Sequence, residues 1–376
     1  MDLSSQYERY QRQIILPEFG EAAQQKLLAA KVLVAGAGGL GCPVLQYLTA
    51  AGIGTIGIAD DDCVALNNLH RQVLYSVQDI GMQKALCASR SLGLLNPDIR
   101  IIPYTERLTP QNTLKILEDY DWVIDGTDNF ATRYMINDAC VLMEKPLVFG
   151  AISQFEGQVA VFNYRTKVQE QPANYRDLFP IPPKEDEVLN CTEAGVLGVL
   201  PGMIGTMMAN ETIKLITSIG EPLVNCLLTF NALNNQVFIL NIPASPETRA
   251  LIPATKNEFQ NTDYVWQCHS EASSLEIDIA QFRQFLQKEK LTIIDVREPN
   301  EKPALSHFST LRIPLGQLSQ HIPDTDASII VTLCQSGKRS LQAARILSGV
   351  MGNSKKIYSL RGGILAWMDD QNKFLE

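Results

Sequence analysis

The sequence predicts an α/β protein: an open, mainly parallel sheet with helices on both faces, followed by a second, smaller α/β unit. Three observations carry this. Short β-branched runs alternate with helical runs at the spacing of strand–helix units. A Gly-rich turn, Gly36-Ala37-Gly38-Gly39-Leu40-Gly41, stands between a strand and an apolar helix. A new strand–helix series starts near residue 274, after a polar, Pro-containing stretch.

Taken in order, residues 7–30 read as an amphipathic lead-in ending in the helical AAQQKLLAA. KVLVAGAGGLGCPVLQYLTAAG is a strand running through glycines into a helix, and GTIGIAD is a second strand ending on Asp60. A helix over 82–95, a strand at PDIRIIPYTERL and a helix near 110–119 lead to DWVIDGTDN, a buried strand with a polar end. Beyond residue 150, AISQFEGQVAVFNY and CLLTFNALNNQVFILNI alternate as antiparallel strands do. Between them lie a Pro-rich run, QEQPANYRDLFPIPPKED, expected as a mobile loop, and a long helix, LPGMIGTMMANETIKLIT. Three segments follow from this: a nucleotide-type domain over 1–245, a linker over 246–273 and a final domain over 274–376.

Composition narrows the function. A net charge of −9 over 376 residues, with no basic block, argues against a nucleic-acid partner. The polar N-terminus has no apolar signal core, and no apolar stretch is long enough for a membrane span. The eight cysteines are scattered without a CxxC pair, which predicts free thiols in a reducing, cytoplasmic setting.

The Gly-rich turn alone fits NAD, FAD or ATP, because glycines let backbone N–H groups approach a phosphate at a helix N-terminus. Asp60, ending the next strand, stands where a carboxylate commonly binds ribose hydroxyls. The residues that follow are more telling. Asn67, Asn68, Arg71 and Gln72 come directly after Asp60, and Lys84 shortly downstream. A dehydrogenase needs an open nicotinamide site, whereas a triphosphate under cleavage needs this ring of cations. Asp125-Gly-Thr-Asp128-Asn129 closes another strand at the same edge, and a carboxylate there could hold Mg²⁺, which prefers oxygen ligands and bridging phosphates. Each residue alone is more often a helix cap or a solvated charge; the order around one turn favours the functional reading.

With these motifs, RYQRQIILPEFG, DDDCVALNNLHRQ, DGTDNFATRYMIND and NCTEAGVLGVLPGMIG, the first two-thirds resembles the ThiF/MoeB/HesA family, relatives of the ubiquitin-activating enzymes. The resemblance implies a Rossmann-like adenylation domain. It implies an ATP and Mg²⁺ site formed by Gly39, Asp60, Asn67, Asn68, Leu69, His70, Arg71, Lys84, Asp128 and Asn129. It implies a homodimer in which Arg12 reaches the partner's phosphates, and a ubiquitin-like sulfur carrier whose Gly-Gly tail becomes an acyl-adenylate. Cys191, in LNCTEAG, becomes a candidate nucleophile. Most relatives carry two CxxC pairs for a structural zinc; here the first pair's positions read Asn174-Tyr-Arg-Asp177, and the region of the second offers Cys268-His269. Tetrahedral zinc needs four N or S ligands, so no structural zinc is expected.

In the last domain, Cys334-Gln-Ser-Gly-Lys338-Arg339-Ser340 follows a buried strand and opens a helix. Backbone N–H groups, the helix dipole and two cations there favour a thiolate. With IIDVREPNE, RIPLG and YSLRGGILAW, this region resembles a rhodanese domain, which implies that Cys334 carries sulfane sulfur as a persulfide with Arg339 beside it. Asp295 and Arg297 are expected to buttress the loop, and EKPALSHFSTL departs from the usual pattern. The order of domains implies adenylation followed by sulfur transfer from a donor such as a cysteine desulfurase, in thiamine, molybdopterin or tRNA-thiolation chemistry. Two alternatives remain at this level: an NAD(P)-dependent redox enzyme with a regulatory tail, and a non-catalytic docking scaffold.

Overall fold

The computed structural model describes residues 3–165, 171–182, 195–264, 275–287, 290–302, 308–318, 321–323, 325–351 and 355–373, without the side chains of 3–7, 338 and 371–373. The chain divides into two compact units, Met1–Cys268 and His269–Glu376.

The first unit is built on an eight-stranded sheet of order β3-β2-β1-β4-β5-β6-β7-β8. Its parallel half comprises β1 (Lys31–Ala35), β2 (Thr55–Ala59), β3 (Arg100–Tyr104), β4 (Trp122–Asp125) and β5 (Leu147–Ser153). Its antiparallel half adds β6 (Glu156–Phe162), β7 (Cys226–Asn231) and β8 (Gln236–Asn241). Successive residues of a strand face opposite sides, so a strand covered on both sides must be apolar throughout. In β1, Val32 and Val34 enter one apolar core with the helices Gly41–Ala51 and Leu200–Thr217, while Leu33 and Ala35 enter the other with the helix Phe130–Leu142. The helix Gly41–Ala51 ends where Gly52 turns left-handed, at φ 86°.

The segment expected as a linker over 246–273 is, in its described part, packed structure. Short helices span Pro246–Arg249 and Lys256–Gln260, Phe259 is fully buried, and Tyr264 OH donates to Asp138 Oδ2 at 3.0 Å. Its polar composition concealed two buried aromatics and a buried ion pair beneath them. Asp138 takes two hydrogen bonds from Arg176, at 2.8 and 2.7 Å. The loop expected to be mobile is packed over its described residues, 171–182. The helix Tyr175–Leu178 forms there, and Ala173, Asn174, Tyr175 and Arg176 are buried, held by the Arg176–Asp138 pair, while 169–170 and 183–186 lie outside the described residues.

The second unit is a five-stranded parallel sheet of order β11-β10-β12-β13-β9. The strands are β9 (Glu276–Ile277), β10 (Leu291–Asp295), β11 (Leu311–Arg312), β12 (Ile329–Leu333) and β13 (Lys356–Leu360). Every residue of β12 is buried, as a central parallel strand requires. Among the described residues, no helix is long and apolar enough to cross a membrane.

Because Arg176 is 3% exposed, removing its carboxylate leaves a buried charge unpaired. Asp138→Ala is expected to cost the first unit about 3–5 kcal/mol, read from its denaturant midpoint. A loss below about 1 kcal/mol would mean that water reaches Arg176.

Candidate nucleotide site and sulfur-bearing loop

The four glycines after β1 divide their work. Gly36, at φ +89°, would put a side chain 2.9 Å from Gly126 O, and Gly41 would put one 1.9 Å from Gly36 O. Those two let the turn close on itself and on the end of β4. Gly38 meets nothing nearer than Gln72 Nε2 at 3.6 Å, so its missing side chain leaves open space at the head of the helix Gly41–Ala51. Backbone N–H groups at such a site suit a phosphate.

Asp60 pins this turn. Its Oδ2 accepts from Ala37 N–H at 2.7 Å and its Oδ1 from Asp62 N–H at 2.9 Å. Burial raises its pKa above the ordinary carboxylate value, against the pull of Lys84 and those two amides. A carboxylate has about four acceptor sites, so it can still take ribose hydroxyls.

Lys84 opens the helix Lys84–Leu95 and is 5% exposed, with Nζ 2.9 Å from Asp62 Oδ2. Burial opposes its charge, but Asp60, Asp62 and Asp128 outweigh burial and its pKa stands above the ordinary lysine value. It is therefore a fixed ammonium at neutral pH. Asn67 and Asn68 lie in a short 3-10 turn, Leu66–Asn68; Leu69 packs on the core and His70 is exposed. Arg71 Nη1 donates to Asn67 O at 3.0 Å and meets His70 Nε2 at 2.7 Å, while its aliphatic stem would touch a side chain placed on Gly39. That close approach brings Arg71 to the Gly-rich turn.

At the end of β4, buried Asp125 accepts from Thr127 N–H (2.9 Å) and Thr127 Oγ–H (2.6 Å), which shapes the turn that leaves Asp128 and Asn129 exposed. Asn129 caps the helix Phe130–Leu142 by accepting from Thr132 N–H. Arg12 is exposed in the last turn of the helix Leu3–Ile14. Cys191 and Cys268-His269 lie outside the described residues. Asn174 and Asp177 form a capping box, and Asp177 Oδ1 accepts from Ser245 N–H (2.9 Å) and from Thr248 Oγ–H. Among the described residues, no group of three His, Cys, Asp or Glu could hold a metal ion.

In the second unit, Cys334 is fully buried at the end of β12. Its Sγ accepts from Gly337 N–H at 3.2 Å and Ser340 Oγ–H at 3.4 Å. The paired glycines of YSLRGGILAW lie under the loop: a side chain on Gly363 would stand 2.3 Å from Cys334 O. Ile364 N–H instead donates to that oxygen at 2.9 Å. Arg339 makes a two-pronged ion pair with Glu301, at 2.6 and 2.7 Å. The hydrogen bonds from Arg339 outweigh partial burial and hold Glu301 at about 2. Arg297 is buried on Asp295 (2.8 Å) and reaches Gln335 Oε1 at 3.4 Å, which places this pair against the loop.

A ThiF family model matches residues 10–250, and a rhodanese-like domain model matches residues 278–370. The chain belongs to the ThiF family. A "Sulfur carrier protein adenylyltransferase" of Thermus thermophilus is 52% identical over 239 residues, covering 64% of this chain and 88% of its own. "Probable adenylyltransferase/sulfurtransferase MoeZ" of Mycobacterium tuberculosis is 39% identical over 365 residues, covering 96% and 92%. "Adenylyltransferase and sulfurtransferase MOCS3" of Arabidopsis thaliana is 35% identical over 395 residues, covering 97% and 84%. Among solved structures, Escherichia coli MccB with ATP superposes with a TM-score of 0.53 at 22% identity, over 63% of this chain and 72% of its own. That similarity shows a shared fold. This ThiF-family chain is an enzyme of the adenylyltransferase type, joined to a rhodanese-like domain.

Three polar residues of the ThiF-family chain went unnoticed in its sequence. Asp62 was one carboxylate in an acidic run, and nothing marked it as the partner of Lys84. Glu301 opens the stretch that departs from the rhodanese pattern, yet it grips Arg339. Ser359 sits in a β-strand and reaches the loop only in three dimensions.

Two outcomes test these sites. Gly38→Ala should leave the melting temperature unchanged and weaken ATP binding about tenfold or more by calorimetry, whereas Gly41→Ala should lower both. Unchanged affinity in Gly38→Ala would move the phosphates off this turn. Glu301 is held near 2 against an ordinary 4.5, so its pair with Arg339 stabilises the fold above pH 4.5 and is lost as pH falls towards 2. Glu301→Gln should therefore melt earlier than wild type at pH 7, with the gap shrinking below pH 4.5.

Proposed function

We propose that the ThiF-family unit adenylates the C-terminal Gly-Gly carboxylate of a ubiquitin-like sulfur-carrier protein of the ThiS or MoaD type, and that Cys334 then supplies the sulfur. One observation carries the adenylation reading: the buried Lys84 ammonium, held by Asp62 beside the turn that Asp60 pins. Such an arrangement suits a polyphosphate whose charge shifts as a bond breaks.

The carrier carboxylate is already ionised at neutral pH, so no base is needed. Its oxygen attacks the α-phosphorus of ATP, the bond to the β-phosphate oxygen breaks, and pyrophosphate leaves with the electron pair. Lys84 and Arg71 neutralise the charge gathering on the phosphates, and Asp60 holds the ribose. Lys84 exchanges Asp62 for phosphate as ATP enters. A hard cation needs oxygen ligands and shares readily with phosphates, so exposed Asp128 fits one Mg²⁺ completed by ATP and water. When bound, that ion supplies further charge neutralisation. Arg12 of a second copy completes the site in a homodimer, a reading supported by exposed Ile15, Leu16, Leu66, Val73 and Val77. The edge strand β8, with Val237 to Leu240 all exposed, is the surface we assign to the carrier.

For sulfur transfer, the Cys334 thiolate attacks the outer sulfur of a donor persulfide, from a cysteine desulfurase or similar donor, and the donor leaves as a thiolate. The Cys334 persulfide attacks the acyl-adenylate carbonyl and AMP leaves. A second thiol then attacks the Cys334 sulfur of the acyl disulfide, releasing the carrier thiocarboxylate and leaving a disulfide for a dithiol reductant. Cys191 is the thiol we assign to this step. Six described cysteines are free thiols, which supports a reducing, cytoplasmic setting. Thiamine, molybdopterin and tRNA-thiolation carriers are all chemically equivalent at this step.

The test is ATP–pyrophosphate exchange with purified carriers of the ThiS and MoaD types. Lys84→Ala and Asp128→Ala should each lose about 10²–10³-fold in exchange. Cys334→Ala should keep exchange and yield no thiocarboxylate by mass spectrometry. Folded protein that exchanges with neither carrier type would overturn the adenylation reading.

A further inference from the structure

Behind the sulfur-bearing loop, three hydroxyl side chains are sealed from water: Thr332, Ser340 and Ser359 are each fully buried, as is Cys334. They come from different elements. Thr332 lies on β12, Ser340 in the first turn of the helix Lys338–Met351, and Ser359 on β13. Water cannot complete their hydrogen bonds, so their own protons must be shared among fixed acceptors.

Thr332 Oγ–H serves backbone carbonyls, Ser340 O at 2.6 Å and Tyr358 O at 3.1 Å. Ser340 and Ser359 face a different choice. Ser340 Oγ lies 2.8 Å from Gly337 O, 2.8 Å from Ser359 Oγ and 3.4 Å from Cys334 Sγ, and it has one proton to give. Ser359 Oγ lies 3.3 Å from the same Gly337 O. Two hydroxyl protons thus face the sulfur, one carbonyl and each other. When Ser340 turns its proton to the sulfur, Ser359 can take over the carbonyl. Without Ser359, Ser340 is the sole hydroxyl for Gly337 O and its proton is drawn away from the sulfur.

We infer that Ser340 and Ser359 form a paired hydroxyl donor for anionic sulfur on Cys334, with Ser340 a catalytic residue that touches the reacting atom and Ser359 a positioning residue acting through it. The inference rests on the reading of Cys334 as the sulfur carrier of this domain. Among the described side chains, the guanidiniums around the loop are already paired: Arg339 with Glu301, Arg297 and Arg312 with Asp295, and Arg361 with Glu276. With those guanidiniums held by carboxylates, the described donors to the sulfur itself are the Gly337 amide and the Ser340 hydroxyl. A hydrogen bond to a charged group is worth more than one to a neutral group, so the Ser340 bond strengthens when the thiol ionises or the persulfide forms.

The experiment follows alkylation of Cys334 by iodoacetamide in the full chain across pH, quantified by mass spectrometry of the Cys334 peptide. Ser340→Ala should slow the reaction about tenfold near neutral pH, with the deficit closing at strongly alkaline pH where thiols ionise unaided. Ser359→Ala should slow it about threefold in the same pattern. The double variant should match Ser340→Ala, because Ser359 acts only through Ser340, and Ser340→Thr should restore most of the rate. Wild-type rates at every pH in folded Ser340→Ala, or single effects that multiply in the double variant, would overturn the pairing. Should Ser340→Ala fail to fold, an unchanged profile in Ser359→Ala alone overturns it. Persulfide formation on wild-type chain, read by cyanolysis after incubation with a persulfide donor, separates the two ideas. Its absence alongside the expected alkylation pattern would sink the sulfurtransfer reading and leave the hydroxyl pair standing.

Discussion

The nucleotide half of this protein depends on one hydrogen bond, from the Ala37 amide to the Asp60 carboxylate. It ties the turn after β1 to the end of β2 and sets the height of every backbone N–H that a phosphate would meet. The bond demands a partly dehydrated carboxylate, and burial raises the cost of that charge. Lys84 offsets the cost, and Asp62 in turn compensates Lys84. The cluster is therefore a chain of obligations that starts with one buried carboxylate. Glycines at 36 and 41 follow from the same constraint, because the turn can reach Asp60 only if no side chain keeps it from Gly126 and from itself.

The sulfur-bearing unit solves a similar problem by different means. Its candidate reactive atom is a buried sulfur at the end of a fully buried strand, where a negative charge is costly. Backbone and hydroxyl donors surround it, while each nearby guanidinium is bound to a carboxylate. Such ion pairs hold the described guanidiniums in fixed positions around the loop. Both units thus use paired charges to hold geometry: Asp62 holds the Lys84 ammonium in one, and Glu301 holds the Arg339 guanidinium in the other.

Much of this was legible in the chain. Alternating strand and helix patterns, the Gly-rich turn after a β-branched strand and the cysteine at a helix start are local features, and local features follow from periodicity and backbone sterics. They determined the fold class and the presence of two units, and they marked Asp60, Arg71, Lys84, Asp128 and Cys334 as candidates. What the tertiary structure decided was partnership. Asp62 rather than its neighbour Asp61 pairs with Lys84, Glu301 crosses 38 residues to hold Arg339, and Ser359 reaches Cys334 through Ser340. The polar stretch after residue 245 read as a linker because composition reports average solubility. One buried tyrosine on Asp138 and one buried phenylalanine are enough to fasten it to the first unit. Contacts between distant residues leave no periodic trace in sequence, since nothing in the spacing of two side chains along a chain encodes their separation once the chain has folded.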